Sequence, residues 1–85
     1  MRKTNAELLR SHLENNRNRI GGINAITAGE QIILQGKYGV LAEHRQFALE
    51  AASKLALRRN CTLIEQNHKD GTYSITFVKT KGGRA

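Results

Sequence analysis

The fold of this chain depends on residues 20–36, which read IGGINAITAGEQIILQG. Apolar residues on both sides of Thr27-Ala28-Gly29-Glu30 favour two short strands, 20–26 and 31–36, joined by a turn at those four residues. The same four residues also fit a capping box at the start of a short helix. A helix stopped by Gly36 has only about eight or nine residues, so its length favours the hairpin.

A helix is predicted on the N-terminal side of this stretch, over residues 4–16. Thr4 and Glu7 have the S/T-x-x-E spacing of a capping box, in which each side chain accepts the other residue's backbone N–H. The three leucines that follow, Leu8, Leu9 and Leu13, fall near one face of this helix. The segment is therefore expected to pack that face on a core.

A longer helix is predicted over residues 41–59, because its apolar residues gather on one broad side at 100° per residue. That side consists of Leu41, His44, Phe47, Ala48, Leu49, Ala51, Ala52, Leu55 and Ala56. Arg58 and Arg59 suit the partly negative carboxyl end of a helix, and Asn60 suits its stop.

A second hairpin is predicted over residues 61–78. Tyr73, Ile75 and Phe77 alternate with hydroxyl side chains, which is the period of a half-buried strand. Residues 61–66 are the expected partner strand, and the loop 67–71 supplies an Asp-Gly turn.

The predicted fold class is α+β, in one domain of residues 1–78 followed by a basic flexible tail, 79–85. The order is helix, hairpin, long helix, hairpin, which makes two helix–hairpin units in tandem. The predicted core is Leu8, Leu9, Leu13, Ile23, Ile33, Phe47, Ala51, Leu55, Leu63, Tyr73, Ile75 and Phe77.

A helix at 27–36 changes the order to three helices and a hairpin, which resembles winged helix-turn-helix DNA-binding domains. Residues 41–59 are then the recognition helix, and the 67–71 loop is the wing. That helix is long for this role, and its first turns carry Leu41, Ala42 and Phe47 where base-reading polar side chains are expected. The hairpin therefore remains the preferred interpretation.

Charge is the strongest functional signal. Fourteen Lys and Arg face seven Asp and Glu, giving a net charge of +7, and the isoelectric point is near 10.2. Such a field attracts phosphate backbones. The longest strongly apolar stretch is Ile32–Leu34, which predicts no membrane span or signal peptide. Because Cys61 is the only cysteine, the chain is expected in the cytoplasm, without an internal disulfide.

Catalysis is not expected, and neither is a metal or another cofactor. His12, His44 and His68 lie on three different predicted elements, and their spacing matches no known metal site. Cys61 and His44 can be drawn as a nucleophile and its base. At a helix-to-strand junction, however, Cys61 is better interpreted as a structural residue.

The candidate nucleic-acid contacts are four basic clusters and the residues of two loops. They are Arg2, Lys3, Arg17, Arg19, Lys37, Tyr38, Arg58, Arg59, Lys69, Lys79, Lys81 and Arg84. The segment Gly36-Lys37-Tyr38-Gly39 has the G-x-x-G form of the KH-domain loop that clamps a nucleic-acid backbone. KH loops lie between two helices, whereas a strand is predicted before this one, so a plain turn is the alternative.

These observations predict a small, non-catalytic nucleic-acid-binding or regulatory protein, with DNA and RNA both open. The alternative is a protein-binding inhibitor or adaptor of phage or mobile-element type that acts on a host nucleoprotein, a profile that anti-CRISPR proteins share. The basic tail also leaves open a ribosome-associated subunit. Because so short a chain buries a small core, a homodimer is a further expectation.

Overall fold

The computed structural model describes residues 3–19 and 21–79, which form two helices and one four-stranded sheet. The elements are α1 Asn5–Asn15, β1 Ile23–Ala28, β2 Gln31–Gly36, α2 Ala42–Arg59, β3 Cys61–Asn67 and β4 Tyr73–Lys79. The predicted α+β class and the helix–hairpin order are confirmed. Neither of these helices is long and apolar enough to cross a membrane.

Residues 20–36 form a hairpin, so the winged helix-turn-helix alternative is wrong. β1 pairs with β2 antiparallel, with Ile26 opposite Ile33. β1 begins at Ile23 rather than at residue 20, because the chain turns at Gly22, where φ is +84°. It also continues to Ala28, since Gly29, with φ +60°, lies in the turn that reverses the chain. Ile20 lies outside the described residues.

The sheet joins two similar units, α1–β1–β2 and α2–β3–β4. Its strand order is β1-β2-β4-β3, and each neighbouring pair is antiparallel. The units meet through the inner strands, where Ile32 pairs with Ile75. Since antiparallel neighbours are related by a two-fold rotation, an approximate two-fold axis passes between these two residues.

Both helices pack on the same face of the sheet. The buried core contains Ala6, Leu9, Leu13, Ile32, Leu34, Val40, Ala48, Ala52, Ala56, Tyr73, Ile75 and Phe77. Five predicted core residues are among them. The other seven predicted core residues are half-buried: Leu8, Ile23, Ile33, Phe47, Ala51, Leu55 and Leu63.

The predicted side-chain placement is wrong at two residues, Ile33 and Leu41. Ile33 faces away from the helices, because Ile32 and Leu34 take the inward positions of β2 and neighbouring residues of a strand alternate. Leu41 is not on the packed side of α2. It is the N-cap residue, and its side chain is exposed.

The helix ends bring distant parts of the chain together. The predicted capping box is present: Thr4 Oγ1 accepts the Glu7 N–H at 3.1 Å, and Glu7 Oε1 accepts the Thr4 N–H at 3.0 Å. α2 ends at Asn60, whose left-handed backbone, φ 55°, turns the chain into β3. As a result α1 begins, α2 ends, β3 begins and β4 ends at the same end of the molecule.

Candidate nucleic-acid interface

A cleft of about 490 Å³ lies at the end of the molecule where α1 begins and α2 ends. Its lining residues are Lys3, Asn5, Glu30, Arg58, Arg59, Asn60, Cys61, Phe77 and Lys79. Four of them are cations and one is a carboxylate. We call this feature the basic cleft.

Asn5 holds the walls of the basic cleft together. Its Oδ1 accepts the Arg59 Nε–H at 2.7 Å, and its Nδ2 donates to Cys61 Sγ at 3.3 Å. Its backbone N–H donates to Glu30 Oε1 at 3.0 Å. One residue thus connects the start of α1, the end of α2, the start of β3 and the β1–β2 turn. No local sequence pattern indicates this role of Asn5, because its partners lie 25 to 56 positions away.

The cations of the basic cleft are not neutralised by paired carboxylates. Within residues 3–19 and 21–79, the one ion pair within 4 Å joins Arg10 to Glu14, at 3.1 Å on the exposed side of α1. Glu30, the carboxylate of the cleft, accepts the backbone N–H of Asn5 instead. The cleft therefore keeps a net positive charge that an anion can approach.

Three of the four predicted basic clusters contribute to this cleft. Lys3, Arg58, Arg59 and Lys79 come from three distant segments and line it together. Lys79 is the last residue of β4 and not the first of a tail, because it pairs with Cys61. Arg2, Lys81 and Arg84, together with the rest of the predicted tail, lie outside the described residues.

The other predicted contacts lie toward the opposite end of the molecule and do not join the basic cleft. They are Arg17, Arg19, Lys37, Tyr38 and Lys69, which follow α1, β2 and β3 in the chain. The Arg19 guanidinium carbon lies 4.9 Å from the centre of the Phe47 ring. Lys37 Nζ lies 5.5 Å from the centre of the Tyr38 ring. The structure therefore brings together only Lys3, Arg58, Arg59 and Lys79 among the described residues of the predicted set.

The G-x-x-G segment is a tight turn between β2 and α2, unlike the KH loop between two helices. The Gly39 N–H donates to the Gly36 carbonyl at 3.1 Å. A Cβ atom on Gly36 would lie 2.4 Å from the Gly39 oxygen and 2.8 Å from Ile23 Cδ1. This close approach explains Gly36 without a ligand. Tyr38, at the tip, is 86% exposed.

A second depression, the interhelical groove, runs between α1 and α2 with a volume of about 620 Å³. Leu8, Phe47, Ala51 and Leu55 form its apolar part, and the His12 ring stacks on Phe47 with the ring centres 5.9 Å apart. Lys54, Glu50, Arg58 and Arg59 also line it. The two arginines also line the basic cleft, so the two depressions adjoin each other at these side chains.

Cys61 and His44 do not form a pair. His44 lies in the first turn of α2, whereas Cys61 lies two residues after the last residue of that helix, Arg59. The Cys61 thiol accepts from Asn5 and lies 3.5 Å from the Arg59 carbonyl oxygen, to which it donates. These contacts give Cys61 a structural role at the wall of the basic cleft.

Comparison with known proteins gives no match to any family model, any curated protein or any solved structure.

Proposed function

We propose that this protein is a small, non-catalytic nucleic-acid-binding protein that contacts backbone phosphates at the basic cleft. The observation that supports the proposal is the convergence of Lys3, Arg58, Arg59 and Lys79 on one cleft with a single carboxylate. A surface of unpaired cations releases counterions from a nucleic acid when it binds, and this release drives association.

Asn5 holds the Arg59 side chain in an orientation that suits phosphate binding. A guanidinium group has five N–H donors in a rigid plane. Because the Arg59 Nε–H is already held by Asn5 Oδ1, its terminal nitrogens remain for two parallel bonds to phosphate oxygens. Less side-chain freedom is then lost on binding than for an unrestrained arginine.

The aromatic residues favour contact with the backbone rather than with unstacked bases. Proteins that bind single strands usually stack bases on exposed aromatic rings. Phe77 is the aromatic residue of the basic cleft, and it is buried, whereas the exposed Tyr38 lies at the opposite end. Duplex DNA and structured RNA are therefore the preferred ligands.

The proposal is tested with two double variants that make the same change of charge. Arg58→Gln with Lys79→Gln alters the basic cleft, and Arg17→Gln with Lys69→Gln alters the opposite end. Each pair removes one arginine and one lysine from the exposed surface. Fluorescence anisotropy with duplex DNA, its single strand and duplex RNA, at several salt concentrations, measures the affinity and its salt dependence.

We expect wild-type binding to duplex to weaken steeply with salt. If both residues contact phosphates, the cleft variant loses about 1.8 from the slope of log K against log salt, since each duplex contact contributes about 0.9. The opposite-end variant should keep most of the wild-type slope. An affinity that salt does not change, or equal losses in both variants, would contradict a site at the basic cleft.

The interhelical groove supports a second candidate, a protein-binding inhibitor or adaptor. Its apolar part and its lining cations, Lys54 and Arg58, suit an acidic amphipathic segment of a partner protein. A partner that is retained after nuclease treatment, and lost with a folded Leu55→Lys variant, would favour this function. Loss of the partner on nuclease treatment would favour nucleic acid.

A further inference from the structure

The face of the sheet opposite the helices carries no formal charge on its four strands. Its outward positions are Asn24, Ile26, Ala28, Gln31, Ile33, Gln35, Thr62, Ile64, Gln66, Ser74, Thr76 and Val78. We call this surface the outer sheet face. The two charged strand residues, Glu65 and Lys79, point to the helix side, because they alternate with these positions.

This face also exposes aliphatic side chains. Ile26 is 46% exposed, Ile64 is 53% exposed and Val78 is 41% exposed. The solvated face of an antiparallel sheet ordinarily carries polar residues. Arg10, Glu14 and Arg17 line a depression with Ile26 at the β1 edge, but none of the strand residues on the outer sheet face is charged. Exposed aliphatic groups on such a face are a feature of protein interfaces.

We propose that the outer sheet face binds a second copy of this chain. Two copies of a chain with a net charge of +7 repel each other when they approach through the two helix-side depressions, where Lys3, Lys54, Arg58, Arg59 and Lys79 lie. The strand residues of the outer sheet face bring no like charges into contact. A nucleic acid or an acidic protein gains no electrostatic attraction there, so the charge distribution favours a second copy over either.

The arrangement of the isoleucines also suits a symmetric dimer. Ile26 pairs with Ile33, the residue after Ile32, and Ile64 pairs with Thr76, the residue after Ile75. The two exposed isoleucines therefore occupy equivalent positions about the approximate two-fold axis between Ile32 and Ile75. In a symmetric face-to-face dimer each copy contributes both Ile26 and Ile64 to the interface, so each contact between unlike residues occurs twice.

The small area of the outer sheet face predicts a weak dimer. Four strands about 4.8 Å apart and about six residues long give a face of roughly 400 Å². Stable interfaces bury about 800 Å² on each partner, so the dimer is expected to form only at high protein concentration. The inference does not depend on the proposed function, because the basic cleft lies on the helix side.

Sedimentation equilibrium over about 5 to 500 μM protein, at low and high salt, tests this dimer. The expected mass rises from the 9.5 kDa of one chain to about twice that value. Higher salt should strengthen association, because it screens the repulsion between the copies. This sign is opposite to that expected for phosphate binding, so the two proposals can fail separately.

Two matched substitutions locate the contact. Ile64→Lys places a charge on the outer sheet face, and Leu57→Lys places the same charge on α2, where the leucine is 82% exposed. We expect Ile64→Lys to be monomeric throughout the range, Ile64→Thr to be intermediate and Leu57→Lys to associate like the wild type. Far-UV circular dichroism checks that each variant is folded.

Three outcomes would overturn the inference. The first is a wild-type chain that stays monomeric at 500 μM in high salt. The second is equal weakening by Ile64→Lys and Leu57→Lys. The third is an Ile64→Lys variant that associates like the wild type but no longer binds duplex DNA, which would assign the outer sheet face to nucleic acid.

Discussion

The Nε atom of Arg59 donates to Oδ1 of Asn5 at 2.7 Å, which joins the last residue of α2 to the first residue of α1. The same asparagine side chain donates to Cys61 at the start of β3. These hydrogen bonds connect residues that line the basic cleft. A nucleic-acid site at this end therefore requires that α1 begins and α2 ends where they do.

Replacing Asn5 by alanine should loosen this junction. The substitution removes both side-chain bonds, and we expect the free energy of unfolding to fall by about 1–3 kcal/mol. Urea denaturation measures the change. Asn18→Ala, in the exposed turn after α1, is the control and should stay within about 0.5 kcal/mol of the wild type. Equal effects would contradict a structural role for Asn5.

The two neighbouring isoleucines of β2 should respond differently to the same substitution. Ile32 is fully buried against the helices, so Ile32→Ala should lower the free energy of unfolding by about 2–5 kcal/mol. Ile33 faces the other side of the sheet and is only half-buried, so Ile33→Ala should cost about 1 kcal/mol or less. Denaturant unfolding of both variants measures the difference. A larger loss for Ile33 would mean that the strand has the opposite orientation.

Gly36→Ala should destabilise the turn between β2 and α2. The added methyl group meets the Gly39 carbonyl oxygen at 2.4 Å, and the backbone must shift to relieve this contact. We expect a loss of about 1–3 kcal/mol in thermal or urea unfolding. Gly21→Ala is the control, since its Cβ would lie at an ordinary 3.4 Å from the Arg17 oxygen. A Gly36→Ala protein as stable as that control would leave the G-x-x-G segment without this structural explanation.

Tyr73 should make the fold sensitive to alkaline pH. Burial and the 2.7 Å hydrogen bond that its hydroxyl donates to Glu65 Oε1 raise the pKa of Tyr73 above its usual value of about 10. Above that pH the unfolded chain releases the phenol proton while the folded chain keeps it. The free energy of unfolding should therefore fall as pH rises past 10, by at most about 1.4 kcal/mol per pH unit from this group.

Tyr73→Phe should remove this part of the alkaline dependence. It should also cost about 1–3 kcal/mol at neutral pH, because Glu65 loses its donor. Urea unfolding between pH 8 and 12 compares it with Tyr38→Phe, which changes an exposed phenol at the opposite end of the molecule. If both variants keep the wild-type slope above pH 10, Tyr73 is not the group responsible.

Several elements of the fold follow from local sequence. The capping box at Thr4 and Glu7 starts α1, since both partners lie within one helical turn. The alternation at Tyr73, Ile75 and Phe77 marks one face of β4. In contrast, Ile32-Ile33-Leu34 has no alternation, so the sequence pattern cannot assign its inward side. The pairing of Ile32 with Ile75 decides it.

By itself, the sequence determined the +7 net charge and indicated the type of most elements, while it left residues 27–36 open between strand and helix. The tertiary structure decided where the charged side chains lie relative to one another. Two hairpins reverse the chain so that Lys3, Arg58 and Lys79 line one cleft, while Arg17 and Lys69 lie away from it. Charges so far apart in sequence are brought together by strand pairing and helix packing, which are long-range contacts that no local pattern specifies.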